Sequence, residues 1–134
     1  MTSKVTYNGR LRTDSKHNGS GYFIMTDAAL GNHGLGQVFP STDTNGMGLG
    51  SCMFSLMGIK ARGLEMDMEY SSAIVVKRKG THPRRIAKID TKFNTPKINS
   101  DKHGKTLKHM ASTFPVHISL HPEIVRNINF HWEV

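Results

Sequence analysis

Near the start of the chain Val5, Tyr7, Gly9 and Leu11 alternate with polar residues, "DSKHNGSG" breaks the pattern, and "YFIMT" resumes it. A period of two marks half-buried strands, so this segment predicts a β-hairpin with a long glycine-containing turn. Residues 27–41, "DAALGNHGLGQVFPS", carry glycines and a proline with no sustained period and read as an ordered loop. Ser41, Thr42 and Asp43 are N-cap types, and "KARG" supplies two cations and a glycine at the far end, which predicts one helix over 43–62. That helix is apolar or small almost all round, through Met47, Leu49, Cys52, Met53, Phe54, Leu56, Met57 and Ile59, so burial on most sides is expected. Its four glycines, Gly46, Gly48, Gly50 and Gly58, are costly in a helix interior and point to close approach by a second helix.

Two more strands follow. The first begins with Met66, Met68 and Tyr70 alternating against Asp67 and Glu69, and the second carries Ala87, Ile89, Thr91 and Phe93 on one face; "KGTHPRR" joins them. Ser100 and Asp101 can open a helix with Leu107, Met110, Ala111 and Phe114 at helical spacing, interrupted by Pro115, and a short helical piece is expected over 115–120. The end, "NINFHWEV", alternates Ile128, Phe130, Trp132 and Val134 with polar partners. The order ββ, α, ββ, α, β gives an α+β class with a mostly antiparallel sheet, and the 134 residues are expected to form a single domain, 1–134.

A net charge of +8 permits anionic partners without naming one. The cations around "GTHP" lack interleaved aromatics or a docking motif, so a solvated basic hairpin is favoured over nucleic-acid binding. The single cysteine excludes an internal disulfide and fits a reducing, cytoplasmic setting. No apolar run approaches the ~20 residues that span a bilayer, so no membrane partner is expected. His117 and His121 are four apart, but Pro122 follows and no third ligand has metal spacing; neither a metal nor a cofactor is called for.

"YNGRLRT", "TDAALGNHGLGQVFPSTD", "LGSCMFSLMGIKARG", "PRRI" and "FPVHISLHPEI", in this order, resemble the OsmC/Ohr family of osmotically inducible and organic hydroperoxide resistance proteins, over nearly the whole chain. The resemblance is nearest to an OsmC-like branch with a "TDAP…NHG…FSPTDL…LGSCM" pattern, although this chain reads "FPSTD" where that branch has "FSPTD". It implies an intertwined homodimer in which antiparallel sheets from both chains wrap two central helices. It also implies thiol peroxidase chemistry, in which a cysteine on the central helix attacks the O–O bond of an organic hydroperoxide and a second cysteine captures the sulfenic acid. Cys52 occupies the attacking position. The second cysteine's position is Phe114, so no intrachain disulfide cycle can run, and an external thiol reductant must do its work. The glutamate that holds a catalytic arginine in the peroxidases falls at Thr42, beside Asp43, which is the expected substitute.

The reactive species is the thiolate, and an ordinary thiol is only slightly ionised at neutral pH. Cys52 lies about nine residues into its helix, beyond the turn to which the macrodipole effect is confined, so a cation must come from elsewhere. Arg12 is the first candidate, ahead of Arg10, with Asp43 as its orienter; Phe39, Phe54, Met57 and Phe114 are candidate apolar walls for an organic substrate. Two alternatives stand beside this reading. Cys52 is an inert core thiol, or the scaffold binds a small apolar ligand having lost the peroxidase cycle.

Overall fold

The structure is a computed structural model that describes residues 1–98 and 100–133. The chain divides into two compact units, Met1–Asn45 and Gly46–Val134, with the boundary inside the longest helix.

The first unit is an antiparallel sheet of β1 (Ser3–Tyr7), β2 (Arg12–His17) and β3 (Phe23–Asp27), in that order. It holds three strands where the hydrophobic pattern gave two. Val5 to Leu11 is not one strand, because the chain reverses over Asn8–Leu11: Gly9, Arg10 and Leu11 all take left-handed φ, and the amides of Asn8 and Arg12 donate to the carbonyls of Arg12 and Gly9. The polar run "DSKH", expected in a turn, belongs to β2. It shows no amphipathic alternation because Thr13 and Ser15 point one way and Arg12, Asp14 and Lys16 the other, all polar. The tight turn comes later, where the His17 amide donates to the Tyr22 carbonyl at 2.8 Å.

After β3 the loop is ordered, as expected. It contains a 3-10 turn, Leu30–Asn32, and folds so closely on itself that a Cβ at Gly34 would lie 1.6 Å from the Ala28 carbonyl oxygen.

The second unit holds most of α1 (Ser41–Gly63), close to the expected bounds, with Asp43 in its first turn and Lys60 and Arg62 in its last, where the helix dipole favours them. Its burial follows one stripe, Gly46, Leu49, Gly50, Met53, Met57 and Ala61, rather than most of the circumference; Ile59 is 66% exposed. Gly46 and Gly50 admit a strand, not a second helix: a Cβ on Gly46 would meet Val75 Cγ1 at 2.9 Å, and one on Gly50 would meet Val75 Cγ2 at 3.4 Å. Next to them a Cβ on Gly48 or Gly58 would meet nothing within 4 Å.

Residues 64–71 do not extend the next strand. The Met66 amide closes onto the Ala61 carbonyl and the Glu69 amide donates to the Asp67 carboxylate, a local turn that competes with the sheet. β4 (Ser72–Gly80) and β5 (Arg85–Thr95) then pair antiparallel, and β6 (Val125–Trp132) pairs parallel to β5 after a crossover through α2 (Asp101–Ser112) and α3 (Pro115–Ser119). Ser100 caps α2 by accepting from the His103 amide, and Pro115 opens α3 at a position that needs no N–H donor. The basic β4–β5 hairpin spends much of its charge on itself: Arg78 and Lys88 pair with Asp90, and Arg85 Nη1 donates to the carbonyls of Thr81 and Pro83. Val134, expected to end the last apolar face, lies outside the described residues.

The core is Leu49, Met53, Met57 and Ala61 of α1, Ile89 and Phe93 of β5, Leu107 and Ala111 of α2, and Phe114. Phe93 stacks on Phe130, Phe130 on Trp132, and Phe54 meets Phe93 edge-on at 4.9 Å. The expected inward row of β5 is therefore correct, through Ile89, Thr91 and Phe93.

The substitution Gly34→Ala is expected to force the loop off the Ala28 carbonyl and to cost about 1–3 kcal/mol, read as a lower urea midpoint at unchanged slope.

Candidate functional site

The strongest polar constellation of the first unit is built on strand register. Arg12 opens β2 and Asp27 closes β3, directly opposite one another in the antiparallel ladder. Arg12 Nε donates to Asp27 Oδ1 at 2.5 Å and Nη2 donates to Oδ2 at 2.8 Å, a bidentate pair. Nη2 also donates to Gln37 Oε1 at 2.7 Å, and the Gln37 amide donates to Asp27 Oδ2 at 3.0 Å. The Asp27 amide donates to the Phe39 carbonyl at 3.2 Å, so β3 is clipped to the end of the loop at two points. The Asp27 side chain has no exposed surface, while that of Arg12 is 24% exposed.

This arrangement holds the carboxyl of Asp27 at about 2. The Arg12 hydrogen bond is the main cause, burial works against it, and the Gln37 amide, the Arg12 charge and the Val38 amide reinforce it. Arg12 is raised correspondingly, first by its bond to Asp27, against burial, then by the charges of Asp27 and Asp14. Sequence reasoning missed Asp27 and Gln37, having placed both in an ordered loop with no role assigned to either. The readable signal was the register, since with "RTDSKH" taken as a strand Arg12 falls opposite Asp27.

Cys52 lies on α1 in the second unit, a free, half-buried thiol packed at the edge of the core. Helical spacing puts Gly48, Ser55 and Ile59 on its side of the helix, the first with open space where a Cβ would be and the other two exposed. The thiol therefore stands where the buried stripe gives way to the open face. Asp43 is in the first turn of α1, whereas the carboxylates acting on Arg12 are Asp27 and Asp14.

The four candidate wall residues divide. Met57 and Phe114 are fully buried in the core, Phe54 packs on Phe93, and Phe39 is 56% exposed at the end of the loop. Phe114 contacts the ring of His117, whose pKa burial lowers first and the Arg126 charge second. His117 lies in α3 and His121 beyond its end, so the two do not share a helix face. A cleft of about 350 Å³ between α2 and β6 is lined by Lys108, Ser112, Asn129 and Phe130 among others. A larger one of about 610 Å³ covers the face of the first sheet, with Val5, Tyr7, Leu11 and Ile24 as apolar lining and the Thr13 and Thr26 hydroxyls paired at 2.7 Å.

Among solved structures the chain is similar to a candidate osmotic stress induced and detoxification response protein from Psychrobacter arcticus 273-4, at 39% identity and a TM-score of 0.95, covering 98% of this chain and 96% of that one. The chain belongs to the OsmC/Ohr family. The family fold is repeated at low identity in an OsmC-like protein from Mycoplasma pneumoniae, with 15% identity, a TM-score of 0.82 and coverage of 98% and 96%. An organic hydroperoxide resistance protein from Elizabethkingia anophelis, with thiocyanate bound, shares 12% identity at a TM-score of 0.75, covering 99% and 97%. No protein-family model matches the chain, and no curated protein matches it.

Asp27 falls from 3.8 to about 2 on folding, so with falling pH the unfolded chain takes up this proton before the folded one does. The stabilisation by the Arg12 pair is expected to be complete above about pH 4 and to disappear as pH drops through about 2. Urea unfolding of wild type and Asp27→Asn against pH should show a gap at neutral pH that closes in that interval.

Proposed function

We propose that the chain is a one-cysteine thiol peroxidase of the OsmC/Ohr family that reduces organic hydroperoxides with an external thiol. The observation that carries the reading is Cys52 itself, the only cysteine, free and half-buried beside the open face of α1. The Cys52 thiolate attacks the terminal oxygen of ROOH; the O–O bond breaks, RO⁻ takes a proton and leaves as the alcohol, and Cys52 becomes a sulfenic acid. An external thiol condenses with the sulfenic acid, releasing water and forming a mixed disulfide. A second thiol then regenerates Cys52 and leaves as part of a disulfide, a supply that a reducing cytoplasm provides. Arg12 is the cation for the thiolate, and Phe39 and Phe54 are the walls for the alkyl group.

The working unit of this reading is a homodimer. Its support is apolar surface: Val5, Tyr22, Phe23 and Leu30 in the first unit and Ile59 in the second are all more than half exposed, apolar surface that a partner subunit would cover. Light scattering is expected to give twice the mass of one chain for wild type, and Ile59→Lys is expected to shift the population towards one chain.

Replacing Cys52 by serine is expected to abolish consumption of an alkyl hydroperoxide in the presence of dithiothreitol while the dimer survives. Consumption equal to wild type would sink the peroxidase reading and leave the alternative, a binding protein for small apolar ligands.

A further inference from the structure

We propose that Asp27 is a positioning residue for this site, a buried carboxylate that fixes the direction of the Arg12 guanidinium and, through Gln37, ties that direction to the loop between β3 and α1. The inference rests on the reading of Arg12 as the cation that serves Cys52.

The geometry carries it. A guanidinium is a planar fork of five donors, and two parallel bonds to one carboxylate remove its freedom to rotate. Arg12 makes those two bonds through Nε and Nη2, and Gln37 Oε1 takes a further bond from Nη2. Nη1 takes no part in these contacts, so it is the end of the fork left to meet an anion. Exposure is one-sided as well: Asp27 is sealed while Arg12 remains 24% exposed. The same carboxylate receives the Gln37 amide, and the Asp27 backbone holds Phe39. The cation and the aromatic wall proposed for the substrate therefore hang from one residue.

Positioning and simple neutralisation have opposite signs. If Asp27 only cancels the charge of Arg12, removing its charge strengthens the field at the thiol and speeds its reactions. If Asp27 aims Arg12, removing it lets the fork turn away and slows them.

The test is the rate of Cys52 alkylation by iodoacetamide at neutral pH in the folded protein, with the rate in urea as the control for intrinsic reactivity. Arg12→Gln is expected to slow the folded rate about tenfold. Asp27→Asn is expected to slow it about threefold or more, with Asp27→Glu recovering most of the loss. The double variant should be no slower than Arg12→Gln alone, because both act through one group. A wild-type or faster rate in folded Asp27→Asn overturns the positioning role. A wild-type rate in Arg12→Gln instead overturns the assignment of Arg12 to Cys52, and the two failures are separate. Should Asp27→Asn not fold, Gln37→Ala decides: a slower rate supports the clamp, and a wild-type rate overturns it.

Discussion

The one buried residue of Met1–Asn45 is a carboxylate. Asp27 has no exposed side-chain surface, and an ionised carboxylate in that condition is tolerable only with a paired charge and filled acceptor sites. Arg12 and the Gln37 amide meet that demand, and meeting it fixes the register of β2 on β3 and the path of the loop back to Phe39. A buried ion pair is a poor substitute for apolar packing in stability. What it gives here is a single geometry, since a slip of β2 by one residue would turn Arg12 to the opposite face of the sheet.

Among the described residues, the nine of the apolar core all lie in Gly46–Val134. A three-stranded sheet whose interior is one ion pair and whose apolar side chains remain exposed is marginal by itself. This asymmetry is what supports the proposed homodimer: the first unit exposes apolar side chains and lacks an apolar core of its own. The open face of α1 at Gly48 and Gly58 belongs to the same account, for glycines cost a helix stability unless something must come close to them.

What could be read from the sequence was whatever rests on local rules. The caps and charge pattern of α1, the inward row of β5 and the Ser100 cap all emerge from periodicity and terminal chemistry. Two errors share a different cause. Val5 to Leu11 alternates convincingly, yet the left-handed turn at Gly9–Leu11 breaks it, and Met66 to Tyr70 alternates while Asp67 bonds its own backbone. In both places local backbone bonding outweighed a side-chain pattern that a strand would also have satisfied. The family motif marked Cys52 and Arg12, but the carboxylate that holds Arg12 fifteen residues away has no periodic signature, and Asp43 drew attention by standing beside Thr42, where the peroxidases carry their glutamate.

The candidate walls show a further limit. Met57 and Phe114 are as apolar as a substrate pocket requires, and they are equally what a close-packed core requires; hydrophobicity alone does not separate the two. Phe114 went to the core, where it lies against His117. With an aromatic ring at that position, the proposed cycle would need the electron pair of a second cysteine to arrive on a separate molecule. In the proposed cycle, with the sulfenic acid on a half-buried thiol, access rather than proximity would govern turnover. A thiol reductant would need a clear path to Cys52, and the same path would admit more hydroperoxide and, with it, irreversible over-oxidation. In the proposed peroxidase, such a site would turn over best where reducing thiols greatly outnumber peroxide, so the absence of a second cysteine would tie the activity to the supply of external thiol.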